Sequence, residues 1–528
     1  MSTMTRRTVV KGGLAGVAAL AAPRIVRAEA LKTITFIPQS DLASLDPVWT
    51  TADVTRNYSL AVFDTLYGFD ADFMVQPQMV EGHAVENDGR DWTLTLRDGL
   101  KFHDGTPVLA RDCVASIQRC AKRNPMTGAL MARVDEIAAA SDKAIRVQLK
   151  KPFALLPEAL AEIYCAIMPE RLANTDPFEQ IKEAVGSGPF KFVASERMPG
   201  SRVVFEKNPD YAPRRTGKPS FYAGPKIVNV DRVVWTVVPD PSTAAAALQN
   251  GEVDWWENPQ LDLVPQLKAD KNLVVTVLDR TGEIGCLRFN HLQPPFDNPA
   301  VRRVIATAID QKEVMTAVAG SVPEVIKTDV GISVPGTPMA NDVGVEVTRG
   351  PKDYAKIRKE LEAAGYKGER IVVLAASTYP SIFAEAQVAS DVLQKIGMNV
   401  DFQALEWGTV VARRASKEPV EKGGWNIFFT WLGGIGNISP GALPALRGTG
   451  ASAWFGWPTN PRMEALREAW FDAPDVASQQ KLCREMQALF WQDPLYVPLG
   501  MYDLPTAFRS YLRDVPDGWP QFYGVRRV

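Results

Sequence analysis

Histidine is nearly absent from this chain of 528 residues, which holds only His83, His103 and His291. They lie far apart, and none stands in a metal-ligand spacing such as His-Glu-x-x-His, which argues against a histidine-built metal centre. His103 sits in "FHDGTP", where Asp-Gly-Thr-Pro is turn chemistry rather than acid–base machinery. Cysteine is also scarce: there are five, and an odd number leaves at least one unpaired. Cys113 and Cys120 are seven apart in an expected helix, about 10 Å, too far for a disulfide. The five are read as small buried hydrophobes. No Gly-x-Ser-x-Gly elbow, no cysteine in a nucleophile setting and no Walker motif occurs. Carboxylates are plentiful, but nothing marks two of them as a glycosidase pair. An exported hydrolase is thus a remote reading, and no catalytic residue, metal or cofactor is expected.

Long apolar runs are missing too. Beyond residue 28 none reaches the ~20 residues needed to cross a bilayer. The short run Leu14–Ala22 follows Arg6, Arg7 and Lys11 and precedes Pro23 and the small-residue site Val26-Arg27-Ala28. That is the layout of a secretory signal peptide over residues 1–28. The paired arginines resemble a twin-arginine (Tat) export signal, with Val9 where that pattern usually has phenylalanine. An ordinary secretory signal is the alternative. The first cysteine is Cys113, so a lipid anchor at the cleavage site is not expected. A free periplasmic protein is. A surplus of positive charge is absent: without residues 1–28 the chain has 54 basic and 61 acidic residues, a balance of −7. This disfavours nucleic acid as a partner.

What is present is an ordinary globular composition, 46% hydrophobic and 23% charged. The length is too great for one core and suggests two or three domains. "RDWTLTLRDGLKF" and "AIRVQLKK" alternate as half-buried strands. "NPAVRRVIATAIDQKEVMTAVAG" reads as a helix capped by Asn298 and ended by Gly320; "DYAKIRKELEAAGY" is another, stopped at Gly365. Ile371–Ala376, about Phe383–Ile396 and Asn399–Leu405 read as a β-α-β unit, which favours an α/β protein. Two helices are expected at Arg462–Phe471 and about Val476–Trp491. No repeat or long linker separates independent units, so the domains are expected to be interwoven.

One loop stands out. In "WNIFFTWLGGIGNISP", an apolar strand at Ile427–Trp431 runs into three glycines, Asn437 and Pro440. Glycine lets another group approach the backbone, yet neither phosphate-binding pattern is completed. Tryptophans cluster in the second half: Trp255, Trp256, Trp407, Trp425, Trp431, Trp454 and Trp457. At least half are expected in the core, and a few to line a pocket.

Several stretches together resemble one family. "WTLTLRDGLKFHDGTPVLARD", "GSGPFKF", "PDPSTAAAALQNGEVD" and "FNHLQPPFDNPAVRRVIATAID", then "LEAAGY" and "EWGTV", are similar, in order, to segments of the family 5 solute-binding proteins. These are the peptide- and nickel-type binding proteins of ABC importers. The resemblance implies a periplasmic binding protein of the large peptide-binding type, with two lobes that close on a ligand and an extra third domain. Domain I would take about residues 29–75, 186–283 and 502–528, domain II 76–185 and domain III 284–501. It also implies a monomer that captures a peptide or peptide-like solute and passes it to ABC permease subunits driven by cytoplasmic ATPases. A chaperone-like or sensor protein on the same fold is a further alternative.

Peptide-binding members carry, three residues after a strand-end tryptophan, an aspartate that pairs with the ligand's free amino group. Trp431 matches the tryptophan, but the acid position falls on Gly434. The expectation is a ligand part that is not an ammonium, held by glycine N–H groups and Asn437. A non-peptide ligand such as an opine, an oligosaccharide, a modified amino acid or a metal chelate is the alternative this departure raises. Ligand-binding residues implied are Trp407, Trp431, Gly433, Gly434 and Asn437, then Leu42, Ala43, Trp256 and Asn290.

Overall fold

The computed structural model describes residues 32–528; the expected leader lies outside them. Two large sheets and one small one organise the chain. The first has seven strands in the spatial order Leu273–Val277, Pro505–Arg509, Trp255–Trp256, Thr33–Ile37, Arg232–Thr236, Arg202–Lys207 and Phe190–Phe192. Its centre is parallel: Thr33–Ile37 pairs with both Arg232–Thr236 and Trp255–Trp256 in that sense. The second has six strands, in the order Ile326–Lys327, Tyr496–Tyr502, Glu283–Phe289, Ile427–Gly433, Arg370–Ala376 and Asn399–Leu405. A third, four-stranded antiparallel sheet uses Val80–Glu86, Asp91–Leu96, Ala144–Leu149 and Val134–Ala139.

The chain enters the first sheet, leaves to build the third, and returns to the first through residue 277. It crosses to the second sheet between Val277 and Glu283 and comes back between Tyr502 and Pro505. Two short crossings therefore join the large sheets side by side. Gly282 at the first has φ +54° and presses on the second: a Cβ there would lie 2.6 Å from the Tyr502 carbonyl oxygen. Only glycine tolerates both the left-handed backbone and that approach.

Local sequence explains most elements. Asp91–Leu96 alternates buried Trp92, Leu94 and Leu96 with outward polar residues. Arg370–Ala376 is buried from Ile371 onward because Pro380–Lys395 covers it before the chain returns as the parallel strand Asn399–Leu405. One expected helix is divided. Residues 298–320 form Pro299–Ala308 and Gln311–Ala319, with Ile309 extended (ψ 131°) between them. The Asp310 carboxylate accepts from the Lys312 N–H at 2.9 Å, so its capping preference overrides the apolar periodicity across the break. All five cysteines are buried and free.

The first sheet is packed on both faces. Phe36, Trp235 and Trp255 meet Phe522 on one side. Ile37, Leu248, Trp256 and Ala507 make a separate cluster on the other. Trp255 and Trp256 are adjacent on a strand, so they point to opposite faces and both become core.

A candidate ligand cleft between the sheets

A cleft of about 650 Å³ opens between the two large sheets, within the range of small-molecule sites. Three parts of the chain line it. The segment after the first strand gives Gln39, Val48, Asp53 and Arg56; the region around the small sheet gives Arg123, Asn124, Glu162 and Tyr164; the second sheet and its loops give most of the rest.

The second-sheet wall is aromatic. Trp407 and Trp431 lie nearly parallel (6°) with centroids 6.4 Å apart. Tyr379 meets both edge-on, at 5.4 and 5.0 Å. Trp407 opens a short helix whose N-cap carboxylate, Glu406, accepts from the Thr409 N–H. Two turns later, on the same side, comes Arg414. Its guanidinium carbon lies 4.7 Å from the Phe455 ring centre, 5.4 Å from Trp407, 5.6 Å from Phe428 and 5.9 Å from Trp454. Its Nε is buried without a hydrogen-bond partner. Burial pulls its pKa down to about 10, so it stays charged at neutral pH. A guanidinium on ring faces with no acid beside it is a ready seat for an anion.

The glycine loop has a different role from the one expected. The strand extends to Gly433, and Gly434–Asn437 form a single tight turn. The Gly434 N–H donates to the Gly282 carbonyl at 2.9 Å. A Cβ on Gly434 would sit 2.1 Å from the Thr281 carbonyl oxygen, so this glycine packs against the crossing rather than facing the cleft. Asn437 lines the cleft, but its amide donates to the Leu432 carbonyl at 3.2 Å and holds the turn. Trp407, Trp431, Gly433 and Asn437 are thus brought together at the cleft, while Gly434 lies behind it.

The other four residues named from the sequence lie off its lining. Leu42 is fully buried and its carbonyl accepts from Arg197; Ala43 is exposed outside the cleft. Trp256 belongs to the core beneath the first sheet. Asn290 is fully buried and donates to the Trp425 carbonyl at 2.9 Å.

Sequence reasoning missed the charged lining. Arg56 pairs with Asp53 at 2.8 Å and lies 4.2 Å from the Trp519 ring centre. Asn57, beside it, donates to Glu257 at 2.6 Å, and Glu257 also accepts the Gln39 N–H at 2.7 Å. Burial pushes Glu257 up to about 7, with these hydrogen bonds pulling it back. Below about 4.5 the folded and unfolded chains both hold this proton; up to about 7 only the folded chain does. Stability contributed by this group is therefore lost as pH rises across that window. Glu257→Gln should flatten the fall, read as melting temperature against pH and compared with the unaltered protein.

Residues 74–454 match the family described as bacterial extracellular solute-binding proteins, family 5 Middle. The chain belongs to this family. It is 37% identical over 533 residues, the whole of both chains, to a probable peptide ABC transporter periplasmic-binding protein of Sinorhizobium fredii, y4tO. It is 27% identical to a glutathione-binding protein, GsiB, of Pectobacterium atrosepticum, over 96% of this chain and 95% of that one. Among solved structures it resembles the Helicobacter pylori binding protein DppA in complex with the peptide STSA, with TM-score 0.77, 23% identity, and 94% and 98% of the two chains covered. It also resembles the Agrobacterium binding protein AgaA in complex with agropinic acid, with TM-score 0.76, 20% identity, and 94% and 99% covered. The fold is that of the large family 5 binding proteins, and the family serves transport as the solute-binding component of ABC importers. No described helix is long and apolar enough to cross a membrane.

Proposed function

We propose that this protein is the periplasmic receptor of an ABC importer for a short peptide or peptide-like solute that bears a carboxylate. The two large sheets would be the cores of the closing lobes, and the small sheet that of the accessory domain. Capture is a shift of an open–closed equilibrium, because only the closed form touches the ligand from both sides. Export by the leader over residues 1–28 would deliver a soluble monomer to the permease. The observation that carries the reading is Arg414, a charged side chain with no acid partner set in the aromatic wall of the cleft. A carboxylate docked there would form charge-assisted hydrogen bonds.

A non-peptide solute such as an opine is the second reading. It is favoured by Gly434, where no side chain fits and the family's amino-anchoring acid is therefore absent. A thermal-shift screen of the chain from Glu29 decides between them. The ligands are pooled free di- to pentapeptides, opines and small oligosaccharides. A ligand at 100 times its dissociation constant adds about 2.7 kcal/mol and raises the melting temperature. The expected result is stabilisation by peptides, weakened about 10- to 100-fold in affinity by Arg414→Ala. Stabilisation by oligosaccharides alone, unaffected by that substitution, would overturn the carboxylate reading.

A further inference from the structure

Glu283 heads the strand Glu283–Phe289, at the first crossing between the large sheets. It stands directly opposite Gly433 in the antiparallel pair. It is 5% exposed, lines the cleft, and its Oε2 is buried with no hydrogen-bond partner. That oxygen lies 3.9 Å from where a Gly433 Cβ would be, so glycine at 433 sets no side chain against it. Of the other buried acids of this region, Glu385 is also unpartnered but lies off the cleft lining, and the rest are engaged. Glu257 accepts from Asn57 and Gln39, and Glu162 accepts from Asn124 at 3.0 Å.

We infer that Glu283 is the anchor for an ammonium group of the ligand, taking over from the neighbouring strand the task for which residue 434 has no space. This rests on the peptide reading above and deepens it: the solute carries a free amino group near Gly433 and a carboxylate toward Arg414. The sequence hid the substitution because the acid moved to another strand, more than a hundred residues earlier in the chain.

The surroundings specify how the anchor works. Glu283 faces Asp53 and Arg56 from the helix Asp53–Val62, Asp279 from the crossing, Glu385 from the helix Pro380–Lys395, and Tyr502 from the neighbouring strand. Burial first, then the nearby carboxylates, push its pKa well up, with Arg56 opposing them. Glu385 behind it is 1% exposed, and neither of its carboxyl oxygens has a partner. These surroundings favour the protonated carboxyl of Glu283 wherever no cation faces it. An arriving ammonium stabilises the carboxylate, and the proton leaves to solvent: a carboxylic acid and an ammonium become an ion pair plus one proton, with no other bond changed.

The test uses the chain from Glu29 with two probes, a pool of free tripeptides and the same pool N-acetylated. Titration calorimetry is run at neutral pH in two buffers of different ionisation enthalpy. The expected result is binding of the free pool with proton release, no measurable binding of the acetylated pool, and about a 10- to 100-fold loss in Glu283→Gln. The variant should bind what remains without releasing a proton. Glu283→Asp, shorter but still acidic, should keep the preference for free amino groups. Equal binding of both pools would overturn the anchor and leave the peptide reading intact. A loss that follows Glu162→Gln in place of Glu283→Gln would place the anchor elsewhere and overturn it too. Binding of neither pool would overturn the peptide reading, and the anchor with it.

Discussion

Arg119→Leu should cost about 3–5 kcal/mol of stability, read as a lowered midpoint of urea unfolding. The Arg119 guanidinium holds Asp46 through two parallel bonds, at 3.0 and 2.7 Å, with side-chain exposures of 1% and 0%. Asp46 also accepts the backbone N–H groups of Val48 and Ile181, both at 3.0 Å. Removing the cation leaves a buried carboxylate with no countercharge. Replacing both residues by leucine should recover only part of the loss, because the two N–H groups would then lack their acceptor. The effect reaches the cleft. Asp46 follows Leu42 and Ala43, two residues expected to touch ligand, and its bonds fix Val48, which lines the cleft, while Leu42 faces inward. The pair also ties the helix Ala110–Ala121 beside the small sheet to the first strand's loop.

Gly434→Asp, which would write the family's amino-anchoring acid back into the sequence, should destabilise the protein and fail to improve peptide binding. Its Cβ would lie 2.1 Å from the Thr281 oxygen and 2.3 Å from the Thr281 Cβ, distances no side chain sustains. Forcing extra atoms into such a contact costs about 1–3 kcal/mol or more, and here the backbone of the crossing has to move. Gly436→Ala is the matched control. A Cβ there meets nothing within 4 Å, so its urea midpoint should stay near that of the unaltered protein. A Gly434→Asp variant as stable as the control would mean that the crossing at 281–283 yields easily.

These two positions also show what a sequence can convey. The strand from Ile427 to Trp431, which runs on to Gly433, the β-α-β unit at 371–405 and the two tryptophans of the aromatic wall were legible because each rests on a local pattern of apolar or aromatic residues. Trp407 and Trp431 line the cleft. The fold was legible through ordered motifs along the chain. The charged lining was not. Arg414, just past a short helix, reads like any surface arginine until the rings of Phe428, Trp454 and Phe455 are folded around it. Glu283 reads like an ordinary strand start, since burial of a carboxylate is a property of what packs against it. Asn290 sits in a motif that resembles the family and Trp256 lies two residues past another, yet both serve packing, one on a backbone carbonyl and one under a sheet. Asp310 broke a helix because a cap is a local bond that an apolar periodicity does not reveal.

The parallel indoles of Trp407 and Trp431 have an optical consequence. Of 13 tryptophans, Trp235, Trp255 and Trp425 are fully buried and none of them lines the cleft. The cleft pair faces the space a solute fills, with a guanidinium 5.4 Å from one ring centre. Filling that space replaces water against both rings and redistributes charge beside them. The molecule thus carries its own unlabelled gauge of occupancy, a small change in emission colour over a steady background.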